Sequence, residues 1–136
     1  MKLVLRQTCA ASFIFFALAA ISYPQVSLNA INTPYSQDFD TLAASGLGNT
    51  FTDNSTIPGW YSTLSAYHAG SGTNNAGTLY SFGTASSSTE RALGSVAAGG
   101  TGTIHYGVRL KNDTGAQITS LDISFTGEQW RKSGVT

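Results

Sequence analysis

Three aspartates near the front of the chain carry side chains that suit a metal ion. Asp38 and Asp40 are two residues apart and so lie on one face of a predicted strand, and Asp53 follows in a polar loop. Carboxylate oxygens are the hard ligands that Ca²⁺ prefers. The chain lacks the dense run of acids found in EF-hand and repeat-type calcium loops, so solvated surface carboxylates are the alternative interpretation. A structural Ca²⁺ is therefore the only cofactor that the sequence suggests.

Aromatic side chains offer a second kind of chemistry, because a flat ring exposed on a sheet can stack on a sugar. Tyr67 and Trp130 border flexible or terminal regions, and we predict that both are exposed and contact glycans. For Trp130 the alternative is that Glu128 and Arg131 beside it tie down a strand end. Core positions are predicted for most of the other aromatics of this set: Trp60, Tyr61, Tyr80 and Tyr106.

Residue arrangements typical of catalysis are not found in the sequence. His68 and His105 have no His, Cys or Asp partner at metal-ligand spacing, and no serine lies in a Gly-x-Ser-x-Gly elbow. Glu90 and Glu128 could be paired for glycoside hydrolysis, but nothing in their spacing supports it. We therefore expect this segment to be non-enzymatic.

The elements that would position these residues centre on residues 103–131. Apolar residues alternate with polar ones in 104–110 and again in 121–125, which is typical of half-buried antiparallel strands. Asn112, Asp113 and Gly115 supply turn chemistry between the two segments. The pattern predicts a hairpin or a pair of neighbouring strands with one solvent-exposed face.

Shorter segments complete the predicted sheet. Residues 35–40 are predicted as a first strand, residues 66–68 as a short edge strand, 78–82 as another strand, and 91–96 as the strand leading into the central pair. Loops 46–58 and 70–77 are rich in Gly, Asn, Ser and Thr. Six or seven short strands at this spacing predict an all-β antiparallel sandwich.

An export signal is predicted at the N-terminus. Lys2 and Arg6 precede a short apolar run, which is too short to span a bilayer, and small residues follow it. We assign residues 1–30 to a signal-peptide helix cleaved between 19 and 30, with Ala17-Leu18-Ala19 the best small-x-small site and two later options ending at Ser22 and Ala30. The protein is expected to be secreted or at the cell surface, and to meet the membrane only during export.

Charge and cysteine content narrow the classes of partner. Cleavage after Ala30 leaves 106 residues, with five Lys/Arg against seven Asp/Glu and a formal charge of −2. A chain without a basic patch is not expected to bind nucleic acid. Cys9 leaves with the signal, so no disulfide framework is expected.

The domain 31–136 is expected to be a truncated sandwich. A turn-like segment at residues 131–134 is followed by no further strand, although an alternating strand before it needs a partner. Additional strands, an anchor or a second domain are therefore expected in a longer protein.

Several motifs together resemble a known family. They are YSQDFDTL (35–42), PGWY (58–61), LYSFG (79–83), STERALGS (88–95) and TSLDISFTGEQWR (119–131). In this order they resemble the N-terminal module of large bacterial secreted proteins, which often end in a PEP-CTERM or similar sorting signal and sometimes carry lamin-tail or extracellular nuclease domains. The resemblance implies a jelly-roll-like β-sandwich with no assigned catalytic residues.

These observations lead to a functional expectation. The protein is expected to be a secreted, non-catalytic module, either accessory, adhesive or glycan-contacting, with glycans or envelope components as partners. The alternative is the non-catalytic front of an extracellular hydrolase such as a nuclease.

Overall fold

The computed structural model of the chain describes residues 24–86 and 88–132. These residues contain eight strands and no helix, which confirms the all-β prediction. Most of the predicted signal peptide, residues 1–23 with Cys9, lies outside the described residues. The strands are β1 (Val26–Leu28), β2 (Asn49–Thr50), β3 (Trp60–Ser62), β4 (Ala66–Gly70), β5 (Thr78–Phe82), β6 (Ala92–Val96), β7 (Tyr106–Val108) and β8 (Leu110–Asn112).

The main sheet has the order β2-β4-β5-β6 and carries the core. β5 is its most buried strand, with Leu79, Tyr80 and Ser81 fully buried on both faces. The core cluster consists of Leu42, Phe51, Ile57, Tyr67 and Leu79. Segment 66–68 is thus an inner strand between β2 and β5, and its predicted edge position is wrong.

β4 and β5 run parallel, with Tyr67 opposite Leu79. The prediction of a wholly antiparallel arrangement is therefore wrong for this pair and for β1–β8, which is also parallel. Parallel neighbours need a connection that returns the chain to its starting end. Residues 71–77 make this return, held by Tyr80 Oη, which donates to Ala76 O at 3.0 Å. Gly72, with φ +85°, permits the turn at its start.

The remaining strands meet along residues 106–112. β3 pairs antiparallel with β7, and β1 pairs with β8. Arg109 lies between β7 and β8 and links the two ladders: its N–H donates to Gly59 O at 2.9 Å, and its carbonyl accepts from Val26 N at 2.8 Å. Residues 106–112 therefore behave as one strand, with β3 and β1 following one another along the same edge.

Residues 35–40 do not form the predicted strand. Phe39 has φ 68°, which interrupts an extended backbone, and Asp40 N donates to Asp38 Oδ1 at 3.1 Å in a local turn. The Phe39 ring packs edge-on against Trp60 with centroids 4.8 Å apart. Alternation in these few residues reflects a turn that places one aromatic against the core.

The predicted hairpin of residues 103–131 forms only in its first half. Its first segment becomes β7 and β8, whereas residues 117–132 lie in no strand. The predicted turn is present: Asn112 Oδ1 accepts from Thr114 N at 3.1 Å, and Asn112 Nδ2 donates to Ala116 O at 2.7 Å. Beyond this turn the chain travels to the main sheet instead of pairing with β8.

Replacing Asp113 by asparagine is expected to weaken the β1–β8 pair and to reduce the pH dependence of stability. Asp113 accepts hydrogen bonds from Lys111 Nζ at 2.7 Å and from the Ser27 hydroxyl, and these lower its pKa below the ordinary value. The stabilisation is therefore present at neutral pH and is lost as the pH falls through the folded-state pKa. Urea midpoints of wild type and Asp113→Asn should differ at neutral pH and converge in acid.

The matched control for this prediction is Asp122→Asn, a substitution at an exposed aspartate outside the strands. In dilute protein, where copies do not associate, it should leave the neutral-pH urea midpoint unchanged. Because Asp113 is solvent-accessible, high salt should reduce the difference in urea midpoint between wild type and Asp113→Asn. If the urea midpoint of Asp113→Asn fell in acid as steeply as that of wild type, the role assigned to Asp113 would be wrong.

Candidate functional site

The exposed strand segment, defined as residues 118–126, is the most unusual surface of the described chain. Leu121, Ile123 and Phe125 alternate with polar residues as in a half-buried strand, yet they are 52%, 77% and 89% exposed. A contiguous run of large apolar side chains in water is unfavourable and commonly marks an interaction site. Among the described residues no strand pairs with it.

An open strand edge lies on residues 106–112. Backbone groups of His105, Arg109 and Asp113 bond toward β3 and β1. Alternate residues of an extended strand direct their N–H and C=O groups to opposite edges. In the part of the chain that the structure describes, β7 and β8 have no other strand partner. The opposite edge, called the open edge here, carries the backbone groups of Tyr106, Val108, Leu110 and Asn112.

The C-terminal end of the exposed strand segment is anchored to the main sheet. The Trp130 ring stacks on Phe82 with centroids 5.9 Å apart and planes within 5°. Arg131 Nη1 donates to Asn74 O at 3.1 Å. Phe82 in turn stacks on Tyr80 at 4.9 Å. Residues 117–129 therefore extend between two fixed points, the turn at Asn112 and the Trp130 stack.

Tyr67 is a core residue, and the prediction that it is exposed for sugar stacking is wrong. It is 5% exposed, packs edge-on against Phe51 and accepts a hydrogen bond from Ala43 N at 3.0 Å. The flexible loop that follows β4 suggested exposure, but the parallel pairing of β4 with β5 places β4 inside the sheet.

Trp130 is half-buried, and one of its faces is covered by Phe82. Its indole N–H donates to Glu128 Oε2 at 2.7 Å, so Glu128 orients the ring. This agrees with the alternative reading of Trp130 as a residue that ties down the chain. A glycan contact at Trp130 stays a prediction, and the buried Tyr67 would not contribute to it.

The three aspartates proposed for calcium each accept a hydrogen bond from a different backbone N–H. Asp38 Oδ1 accepts from Asp40 N at 3.1 Å. Asp40 Oδ1 accepts from Arg91 N at 2.9 Å, and Asp53 Oδ1 accepts from Ser62 N at 2.9 Å. Among residues 24–86 and 88–132, no group of three or more His, Cys, Asp or Glu side chains could hold a metal ion. The described geometry gives each aspartate a structural hydrogen bond: Asp38 within a local turn, Asp40 to the residue before β6, and Asp53 to the last residue of β3.

The two histidines are placed apart. His68 packs edge-on against Tyr80 at 5.5 Å, and within the described region its buried Nδ1 has no hydrogen-bond partner. His105 is exposed, and its backbone bonds to Thr63.

Burial raises the pKa of the Tyr80 phenol, and the positive charge of Arg131 opposes this shift, so the phenol stays protonated at neutral pH.

Arg91 is a buried residue that the sequence did not single out. It is 1% exposed, and its Nε donates to Ser81 Oγ at 2.8 Å while Nη2 donates to Ser81 O. Desolvation lowers its pKa, and the neighbouring Glu90 charge opposes this. Its only sequence signal was its position at the start of a predicted strand.

No helix among the described residues is long and apolar enough to cross a membrane. No protein-family model, curated protein or solved structure matches the chain. The resemblance to secreted bacterial modules therefore stays a prediction, and the function is argued from the surfaces described above.

Proposed function

We propose that the protein is an exported, non-catalytic β-sandwich module of jelly-roll type that acts by adhesion between copies. The exposed strand segment of one copy adds as an antiparallel strand to the open edge of a second copy. The observation that carries this proposal is the exposure of Leu121, Ile123 and Phe125 on a strand-like segment that no other described strand pairs with. Addition of a strand to a sheet edge is a recurrent mode of recognition.

The residue pattern of the segment complements the open edge in one register. With Leu121 opposite Leu110, the three alternating apolar residues Leu121, Ile123 and Phe125 each face an apolar residue of β7 or β8. On the polar face Asp122 stands opposite Arg109, an opposite-charge pair. A shift by one residue would place the apolar side chains among polar ones. The apolar pairs are Leu110–Leu121, Val108–Ile123 and Tyr106–Phe125.

Pairing between copies is favoured over a hairpin within one copy. Beyond the Asn112 turn the chain runs to the contacts of Trp130 with Phe82 and of Arg131 with Asn74, and we infer that a hairpin would strain or break these contacts. A second copy can approach the exposed segment while these contacts persist. Two reciprocal additions give a twofold-symmetric dimer, the commonest form of homo-oligomer.

The other interpretations have less support from the described geometry. Glycan contact loses Tyr67, which is buried, and keeps only a half-covered Trp130. The front of an extracellular hydrolase remains the alternative of a different class. A metal-dependent hydrolase domain encoded downstream of codon 136 would favour it, whereas a sorting signal there would favour a surface module.

Replacing Ile123 by aspartate is expected to weaken self-association by at least tenfold. Burying an isoleucine side chain contributes about 1.5–3 kcal/mol, and about 1.4 kcal/mol is a factor of ten in affinity. Sedimentation velocity of the purified exported protein over a concentration series measures the dissociation constant. Ser124→Asp is the matched control, since it adds the same charge on the opposite face of the segment.

Two results would overturn the proposal. One is a wild-type protein that stays monomeric at millimolar concentration. The other is an equal effect of Ser124→Asp and Ile123→Asp, which would indicate charge repulsion instead of strand pairing. Cross-strand nuclear Overhauser effects between Leu110 and Leu121 in a monomer would assign the pairing to a hairpin within one copy.

A further inference from the structure

The first described residues belong to the fold. β1 is paired along its whole length, with Val26 opposite Leu110 and Leu28 opposite Asn112. Val26 N donates to Arg109 O at 2.8 Å, and Asp113 N donates to Leu28 O at 2.9 Å. The backbone hydrogen bonds to β1 thus include Arg109 and Asp113, the residues that flank β8 on its two sides.

Side chains fix the same stretch. Tyr61 Oη donates to Pro24 O, and the Ser27 hydroxyl donates to Asp113. Val26 packs so closely on Gly59 that a Cβ added there would lie 2.5 Å from Val26 Cγ2. Gly59 has φ +80° and accepts the Arg109 N–H, so this close approach lies at the junction of β3, β7 and β8.

We propose that the export signal is cleaved upstream of Pro24, after Ala19 or Ser22, and that residues 24–28 form the first strand of the mature protein. This inference rests on the export part of the proposed function. The sequence offers three small-x-small sites, ending at Ala19, Ser22 and Ala30. Cleavage after Ala30 would remove β1 together with the contacts of Pro24, Val26 and Ser27.

The physical reason lies in the edge that β1 covers. Without β1, the Arg109 carbonyl, the Lys111 backbone and the Asp113 N–H would lose their partners. Within one copy, β8 would then have no strand partner among the described residues, and the space that Val26 fills beside Gly59 would be empty. Unpaired backbone groups and an exposed edge are both destabilising.

The cleavage itself is an ordinary peptide hydrolysis. Signal peptidase adds one water across the Ala19–Ala20 bond, which leaves a carboxylate on Ala19 and an amino group on Ala20. A cut after Ser22 leaves the amino group on Tyr23 instead. The two products begin four residues and one residue before Pro24, and both keep β1 intact.

The test is expression of the full chain in a secreting bacterial host, followed by N-terminal sequencing and intact mass of the exported protein. The expected N-terminus is Ala20 or Tyr23. An N-terminus at Ile31 would overturn the inference while leaving export in place. A chain retained in the cytoplasm with residues 1–19 uncut would overturn export, and the inference with it, so the two failures are distinguishable.

Two variants separate processing from folding. Ala30→Tyr blocks the latest site and should leave the mature N-terminus unchanged, because Ala30 is exposed and lies outside β1. Loss of cleavage in Ala30→Tyr would assign the cut to that site. Val26→Asp should be cut at the same bond but show a lower urea midpoint, whereas an unchanged midpoint would show that β1 is dispensable.

Discussion

Replacing Arg91 by methionine is expected to lower the free energy of unfolding by about 3 kcal/mol, a large part of the stability of a small domain. Arg91 is 1% exposed, and its guanidinium donates to Ser81 Oγ, Ser81 O and Ala85 O. Methionine fills much of the volume but leaves the two buried Ser81 acceptors without the Arg91 donors, at about 1–3 kcal/mol each. Urea denaturation followed by circular dichroism measures the change.

The buried charge of Arg91 is balanced by carbonyl and hydroxyl dipoles. The ion pair found among the described residues is Lys111–Asp113, far along the chain from Arg91. Lysine is therefore not expected to rescue the site, because its ammonium cannot reproduce the planar fork of donors. Ser81 Oγ donates onward to Ala43 O at 2.8 Å, so the loss should also loosen the loop before β2.

Arg109→Met is the matched control for Arg91→Met. Arg109 is exposed, and its guanidinium lies over the Tyr61 ring at 4.0 Å. A cation–π contact at an exposed site contributes about 0.5–1 kcal/mol. If the two arginine variants lost equal stability, the Ser81 network would not be the cause.

Replacing Gly83 by alanine is expected to destabilise the protein by about 2–3 kcal/mol, the second large effect. A Cβ at Gly83 would overlap Arg91 Nη1 and lie 3.0 Å from the carbonyl oxygen of Glu90. The guanidinium is held by Ser81 and cannot move aside without breaking buried hydrogen bonds. Thermal and urea unfolding both report the loss.

Gly107→Ala is the control for Gly83→Ala. Gly107 lies within β7, and a Cβ there would meet nothing within 4 Å. Its substitution should be neutral or slightly stabilising. In the Arg91→Met background, Gly83→Ala should cost less than in wild type, because the overlapping atoms are gone. Strict additivity of the two changes would contradict the assigned clash.

Much of the strand content could be read from local patterns. The segment predicted at 78–82 is β5 with the same bounds, and those predicted at 66–68 and 91–96 lie within one or two residues of β4 and β6. Residues 104–112 also contain the predicted strand, as β7 and β8. In each case alternating or β-branched and aromatic residues are bounded by Gly, Ser or Asn, which is local information.

The candidate sites were predicted less well because burial depends on which strands become neighbours. Tyr67 looked exposed beside a flexible loop, but β4 lies between β2 and β5 and the Tyr67 ring packs against Phe51 in the core. The alternation at 35–40 looked like a strand, but Phe39 takes a left-handed conformation and turns into the core. No pattern within either segment encodes the neighbour that covers it.

The sequence by itself determined the all-β class, most strand positions and the turn after Asn112, because the pleat of a strand imposes its period on the residues that form it. Only the tertiary structure decided that β4 and β5 are parallel, that Arg91 is buried and that Trp130 anchors the chain on Phe82. These features depend on contacts between residues distant in sequence. The same contacts leave Leu121, Ile123 and Phe125 in solvent although their pattern is that of a paired strand, since a pattern specifies a face and not its partner.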